Sequence, residues 1–180
     1  MIDVANKYKD QLKELFYCTW YDMRYKYYNN HVYCDEFELE NSNWKYHDFV
    51  STYDGQIIGH ISYIINRLTD SADNLGVINF HIDNPLYSRI FAVDVIRVLR
   101  DIFEKYNLSR LTFRSVMGDN PSLSKYRRIV NKFGGRVVGY WTSETRLMDN
   151  KLYDMELYEI LKQDFVRSIN CRVKTHVEGF

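Results

Sequence analysis

Within the segment GVINFHID, His81 and Asp83 stand two apart, so on an extended backbone their side chains leave the same face. A histidine accepts a proton near neutrality, its ordinary pKa lying at about 6.5, and the neighbouring carboxylate is a second acceptor. Glu144, much later in the chain, is a third candidate base. Directly after Asp83 the sequence breaks at Asn84-Pro85 and restarts as an amphipathic stretch near SRIF. A strand that feeds straight into a helix leaves backbone N–H groups unpaired at the helix start. With the helix dipole, those groups favour an anion, typically a phosphate. The chemistry on offer is a proton acceptor beside an anion site. A plain connecting turn and a packed or solvated histidine fit the same residues.

The elements that must position these groups run from Gly76 to Tyr106. Val77, Asn79, His81 and Asp83 alternate with Ile78, Phe80 and Ile82, which predicts a strand with one apolar face and one polar face turned to a cleft or to solvent. Pro85 cannot donate to a ladder and pushes Asn84 towards extended backbone, so the strand ends there and Ser88 is expected to cap the helix. In that helix Phe91, Val95, Val98, Leu99, Ile102 and Tyr106 recur at helical spacing, with Arg97, Asp101 and Glu104 on another side.

Residues 5–28 predict a first helix, with Tyr8, Leu12, Leu15, Phe16, Trp20, Met23 and Tyr27 on one stripe. Asp35, Glu36, Glu38 and Glu40 follow around Phe37 and Leu39, as a short second helix; they form either an acidic lip for a cationic amine or a solvated face. His47–Tyr53 and Gln56–Ile65 read as a hairpin about Asp54-Gly55, followed by a polar loop around Thr69–Asn74. A strand marked by Leu111, Phe113 and Met117 emerges from the long helix, and should run parallel to the one before it through a right-handed crossover. Asp119-Asn120-Pro121 reads as a helix cap, Leu123, Tyr126, Val130 and Phe133 as the buried stripe of that helix, and Gly134-Gly135 as its stop. Val137–Thr145 and Leu152–Leu161 form a closing hairpin about Asp149-Asn150. Residues 162–180 lie beyond this pattern, as a packed tail or partner segment.

At 180 residues and 46% hydrophobic, with 2 Pro and 8 Gly, the chain is expected to form one domain with a substantial core. Lys plus Arg equals Asp plus Glu at 24 each, and this zero formal charge argues against nucleic acid or an anionic membrane as a partner. Cys18, Cys34 and Cys171 have no ligand spacing and are read as reduced cytosolic thiols, and no metal site is expected. The expectation is a cytoplasmic protein with no membrane span.

The element order, and above all NPSLSKYRRIVNKFGGRVVGY followed by LMDNKLYDMELYEILKQDF, is similar to the GNAT superfamily of acyl-coenzyme A N-acyltransferases. It resembles the branch with ribosomal-protein alanine and polyamine or small-amine acetyltransferases. Lys132, Gly134, Gly139, Asp149, Asn150, Lys151, Tyr153 and Asp154 carry the likeness. It implies an α/β protein (α+β by some schemes) with a mixed sheet of about six to seven strands, a splayed parallel pair and about four flanking helices. A GNAT-like domain would occupy residues 1–165 and a tail residues 166–180.

The resemblance further implies acetyl-CoA as co-substrate and a primary amine, small or a protein N-terminus, as acceptor. Its pantetheine arm would lie along Asn79–Asp83, among them Phe80 and Ile82, with Asn120 also in contact. Its pyrophosphate would meet the window Tyr87, Ser88, Arg89, Ile90, Phe91 and Ala92, where only Ala92 keeps the family's pattern and Ile90 replaces a glycine. Either Arg89 supplies the missing attraction or the site has decayed. Arg128, with Lys125 and Lys132, forms a basic side for the 3'-phosphate, a solvated face or a nucleic-acid contact. His81, Asp83 and Glu144 are the candidate bases for the amine's proton. The family's acid position holds Val130, and Tyr126, one turn earlier, is the candidate acid for the leaving thiolate. The alternative is a GNAT-fold protein without catalysis that serves as a binding or assembly component, for example of a bacteriophage particle, which would make it virion-associated; a homodimer or a protein assembly partner is the further partner expectation.

Overall fold

The computed structural model describes residues 1–20, 39, 44–118, 121–147 and 149–177. Among them run seven strands: β1 (Ile2–Val4), β2 (Tyr46–Tyr53), β3 (Gln56–Asn66), β4 (Ser71–Asn79), β5 (Arg110–Val116), β6 (Arg136–Arg146) and β7 (Leu152–Leu161). Four helices accompany them: α1 (Lys9–Trp20), α2 (Pro85–Arg100), α3 (Pro121–Lys132) and α4 (Lys162–Val177). The strands form one sheet in the order β1-β2-β3-β4-β5-β7-β6, antiparallel except for the β4–β5 pair. This is the expected mixed sheet with flanking helices.

Local chemistry explains the connections. The β2–β3 hairpin turns on Asp54 and Gly55, at φ 50° and 75°, because a two-residue turn that matches strand twist needs both residues left-handed. Helix α3 ends at Gly134, whose φ of 70° lets the Gly135 N–H reach back 2.8 Å to the Val130 carbonyl. The main core lies on one sheet face, where Ile61, Leu75, Val77, Leu111, Phe113, Tyr158 and Ile160 meet Phe91, Val95 and Leu99 of α2, Ile129, Val130 and Phe133 of α3, and Phe165 of α4. Helix α2 sits tight against β3: a Cβ on Gly59 would fall 2.3 Å from the Phe91 ring. A second core joins Leu12 and Phe16 of α1 to Leu39, Val50, Ile57 and Phe80.

The central strand differs from its sequence reading at both ends. It starts at Ser71, in what reads as a polar loop, because the polar side chains there find partners: Asp73 Oδ1 accepts from Thr112 Oγ1 at 2.6 Å and from Ser71 Oγ at 3.2 Å. It stops at Asn79 rather than at Asp83, since Asn79 Oδ1 captures the His81 N–H at 2.9 Å and a side-chain acceptor replaces the ladder. Phe80, His81, Ile82 and Asp83 therefore form the connection to α2. That helix starts at Pro85, and its cap is Asn84, not Ser88. The expected continuation to Tyr106 is a π-type turn, Asp101–Lys105, closed by the Tyr106 N–H on the Asp101 carbonyl at 2.9 Å.

Strand β1 was not legible, three residues being too few to show a period. The first helix is α1 as far as Trp20; its expected extension over Met23 and Tyr27, the acidic segment with Glu36, and Cys34 lie outside the described residues. What reads as a tail from residue 162 is α4, whose Phe165 is fully buried and lies 4.6 and 5.2 Å from the ring centroids of Phe103 and Phe133.

Candidate functional site

Strands β4 and β5 are in register only at Ser71↔Arg110 and Ala72↔Leu111, after which β4 runs on to Asn79 and β5 to Val116 with no paired residues between them. The two parallel neighbours thus splay into a wedge. A pocket of about 420 Å3 lies between the unpaired end of β4, α2 and α3. Val77, Phe91, Val95, Ile96, Ile129 and Phe133 give it apolar walls, Asn79 and Ser88 a polar end, and Lys125, Arg128 and Lys132 a cationic side. Alternation explains the strand's share: Val77 and Asn79 face α2 and α3, whereas Ile78 and Phe80 face α1.

Side chains from α3 and β5 fill the closed part of the wedge. The Thr112 hydroxyl on Asp73 occupies the space just past the last paired residues. Next comes Tyr126, 7% exposed, whose hydroxyl donates to the Leu75 carbonyl and accepts from the Val77 N–H, each at 3.1 Å. Its ring lies 5.3 Å from Phe113 and 6.3 Å from Tyr158.

The start of α2 is internally satisfied. Asn84 Oδ1 accepts from the N–H groups of Leu86 and Tyr87 at 3.0 and 3.2 Å, the Asn84 carbonyl accepts from Ser88 N–H at 3.0 Å, and Pro85 has no N–H. The donors that a bare helix start offers an anion are already engaged. Residues 87–92 lie inside the helix rather than in a turn. Of that window Ser88, Phe91 and Ala92 line the pocket, Arg89 is exposed, and Ile90 is half-buried against the main core. Ser88 Oγ accepts from Asn79 Nδ2 at 2.8 Å, which ties the end of β4 to α2.

Positive charge for an anionic ligand therefore comes from α3. Lys125 is half-buried, and burial lowers its pKa to about 8; no carboxylate pairs with it among the described residues. Arg128 and Lys132 line the same side. The set fits a long molecule with an apolar arm and phosphates, provided the phosphates sit at α3 and not at the start of α2.

The other sequence candidates are scattered. Ile82 lines the pocket, while Phe80 packs against Phe16 at 5.3 Å on the opposite face. His81 is half-buried with its ring 5.2 Å from Tyr87 in an edge contact, and Asp83 is exposed in the same connection. Glu144 is exposed on β6 beside Ser143 (φ 53°), where the register with β7 shifts. Two strands separate β6 from β4, about 14 Å at ordinary strand spacing, so Glu144 is not brought to His81. Asn120 lies outside the described residues.

One group has no counterpart in the sequence reading. Glu156, 2% exposed on β7, accepts from Arg127 Nε at 2.9 Å, Arg127 Nη2 at 3.2 Å and the Tyr158 hydroxyl at 2.6 Å. Burial alone would raise its pKa; the hydrogen bonds from Arg127 and Tyr158 outweigh that and hold it below the usual carboxylate range. The pair fastens α3 to the sheet one residue after Tyr126.

No family model matches the sequence, and neither does any curated protein. Solved structures match in shape. A protein described as a probable acetyltransferase is 16% identical and superposes with a TM-score of 0.67, covering 88% of this chain and 89% of its own. A single-mutant form of the spermidine N-acetyltransferase SpeG from Vibrio cholerae is 19% identical, with a TM-score of 0.54 over 87% of this chain and 76% of its own. A third acetyltransferase structure is 19% identical with a TM-score of 0.56, and the chain spans 62% of its length. At these identities the likeness shows the fold.

Proposed function

We propose that this GNAT-fold chain is an N-acetyltransferase that moves an acetyl group from acetyl-CoA to a primary amine, either a small amine or a protein N-terminus. The observation that carries the reading is the β4–β5 wedge with a pocket against the unpaired end of β4 and three cations on one side. Lys125, Arg128 and Lys132 would hold the phosphates by charge-assisted contacts, and the apolar walls would take the aliphatic arm. When bound, the thioester supplies an activated acyl carbon. The amine nitrogen bonds to that carbon as the C–S bond breaks. His81, beside Asp83 at the end of β4, is the candidate acceptor of the amine's proton, and Tyr126 the candidate donor to the leaving sulfur.

Thermal unfolding with added acetyl-CoA tests the reading, since a ligand that binds only the folded state raises the melting temperature. A rise that shrinks in R128A/K132A, together with thiol release on addition of a spermidine-type amine, is the expected result. No rise at millimolar acetyl-CoA overturns it. The second reading, a GNAT-fold binding or assembly component without catalysis, is favoured by one observation, the engagement of the α2 start by Asn84 where a phosphate would otherwise sit.

A further inference from the structure

Beyond Ala72, the edge of β4 that faces the wedge has no strand partner among the described residues. The Phe80 N–H bonds to the Ile58 carbonyl on the β3 side at 3.1 Å, so by alternation Leu75, Val77 and Asn79 direct their backbone groups towards the wedge. A residue of a parallel strand added there would donate to one carbonyl and accept from the N–H two residues on. Tyr126 makes these two bonds with a single hydroxyl, to Leu75 and from Val77. It stands where the N–H and C=O of an extended amide chain would stand.

We propose that the Tyr126 hydroxyl competes with ligand for β4: an extended, amide-bearing arm displaces it from Leu75 and Val77, and its affinity is set against those two bonds. The identity of the arm as pantetheine rests on the acetyl-CoA reading, whereas the contact in the free protein does not. The same displacement frees the hydroxyl beside the bound arm, where the proton donor of the proposed reaction is needed.

Y126F keeps the ring and removes the hydroxyl. In the free protein the Val77 amide should then exchange with solvent at least about tenfold faster, having lost its acceptor, while the Ile78 amide on the β3 side is unchanged. Titrated with coenzyme A, Y126F should bind about five- to tenfold tighter than the wild type, because the ligand restores bonds that in the wild type it must first break. T112V is the control: it removes the neighbouring Asp73 contact and should leave coenzyme A affinity within about twofold of the wild type. Unchanged Val77 exchange in Y126F overturns the contact. Faster exchange with unaltered affinity overturns the competition and leaves the acetyl-CoA reading standing. Faster exchange with no binding of coenzyme A to either protein overturns the acetyl-CoA reading, and with it the ligand proposed to displace Tyr126.

Discussion

At the scale of the residue, the groups that matter most in this structure are those that the sequence disguises. Glu156 sits in LYDMELYEIL, where alternation sets it on the face of Tyr158 and Ile160 while its charge argues for solvent; the pairing of β7 between β5 and β6 and the arrival of Arg127 make it a buried anchor. Because its folded pKa lies below the ordinary 4.5, it contributes stability that is fully present above that value and is lost as pH falls through the lowered one. E156Q should cost about 1–3 kcal/mol at pH 7 and flatten the acid limb, read from urea midpoints at pH 3–7. Lys125 shifts the same way for a different reason, burial of a cation. Its pKa is lowered from 10.5 to about 8, so between those values the unfolded chain holds more protons and stability rises with pH. K125M should remove that rise and weaken coenzyme A binding about five- to tenfold. A slope unchanged from the wild type between pH 8 and 10 would show that Lys125 is not the group responsible. Sequence spacing placed Lys125, Arg128 and Lys132 together, and the pocket keeps them together; it could not show which carried the desolvation, since that depends on how closely α2 and α3 approach.

At the scale of the element, the strand-turn-helix from β4 to α2 was legible as a unit but not in its bounds. Period-two alternation was read through Asp83, yet Asn79 and Asn84, each bonding its own downstream backbone, cut the strand short and start the helix early. Both are side-chain acts that hydrophobic periodicity does not register. They bear on the proposed site as well as on boundaries, because a helix start whose donors are occupied is a poor phosphate cradle. N84A should cost about 1 kcal/mol by loss of the cap. If α3 supplies the charge that holds phosphate, as proposed above, N84A should leave coenzyme A affinity undiminished. A loss of tenfold or more in N84A would return the phosphate to the start of α2. The Asp54-Gly55 hairpin and the Gly134 stop were read correctly because their signals are backbone conformations that few other residues adopt.

At the scale of the molecule, the sheet is held shut at one end and open at the other. The closed end has a single parallel contact at Ser71 and Ala72, too short to fix the angle of the wedge by itself. Alongside it, the Lys162 N–H bonds the Ser109 carbonyl at 2.9 Å, so α4 begins where β5 begins. Three residues on, Phe165 fills the junction of the π-type turn after α2, the end of α3 and the sheet, with Phe103 and Phe133 as its ring partners. Phe133 also lines the pocket, so one side chain sets both the closed end of the wedge and the seat of the cationic helix. The stretch that reads as a tail thus contributes to the closed end of the wedge, and although Phe165, Ile169 and Val173 stand at helical spacing, the basic residues between them mask that short stripe. F165A should lower stability by about 3–5 kcal/mol, measured by urea denaturation. It should also weaken coenzyme A binding well beyond the twofold expected of an ordinary distant core substitution, because α3 loses its fixed distance from β4. If F165A loses stability but binds coenzyme A as tightly as the wild type, the wedge angle is fixed elsewhere, by the Arg127–Glu156 anchor and the Tyr126 bonds to β4.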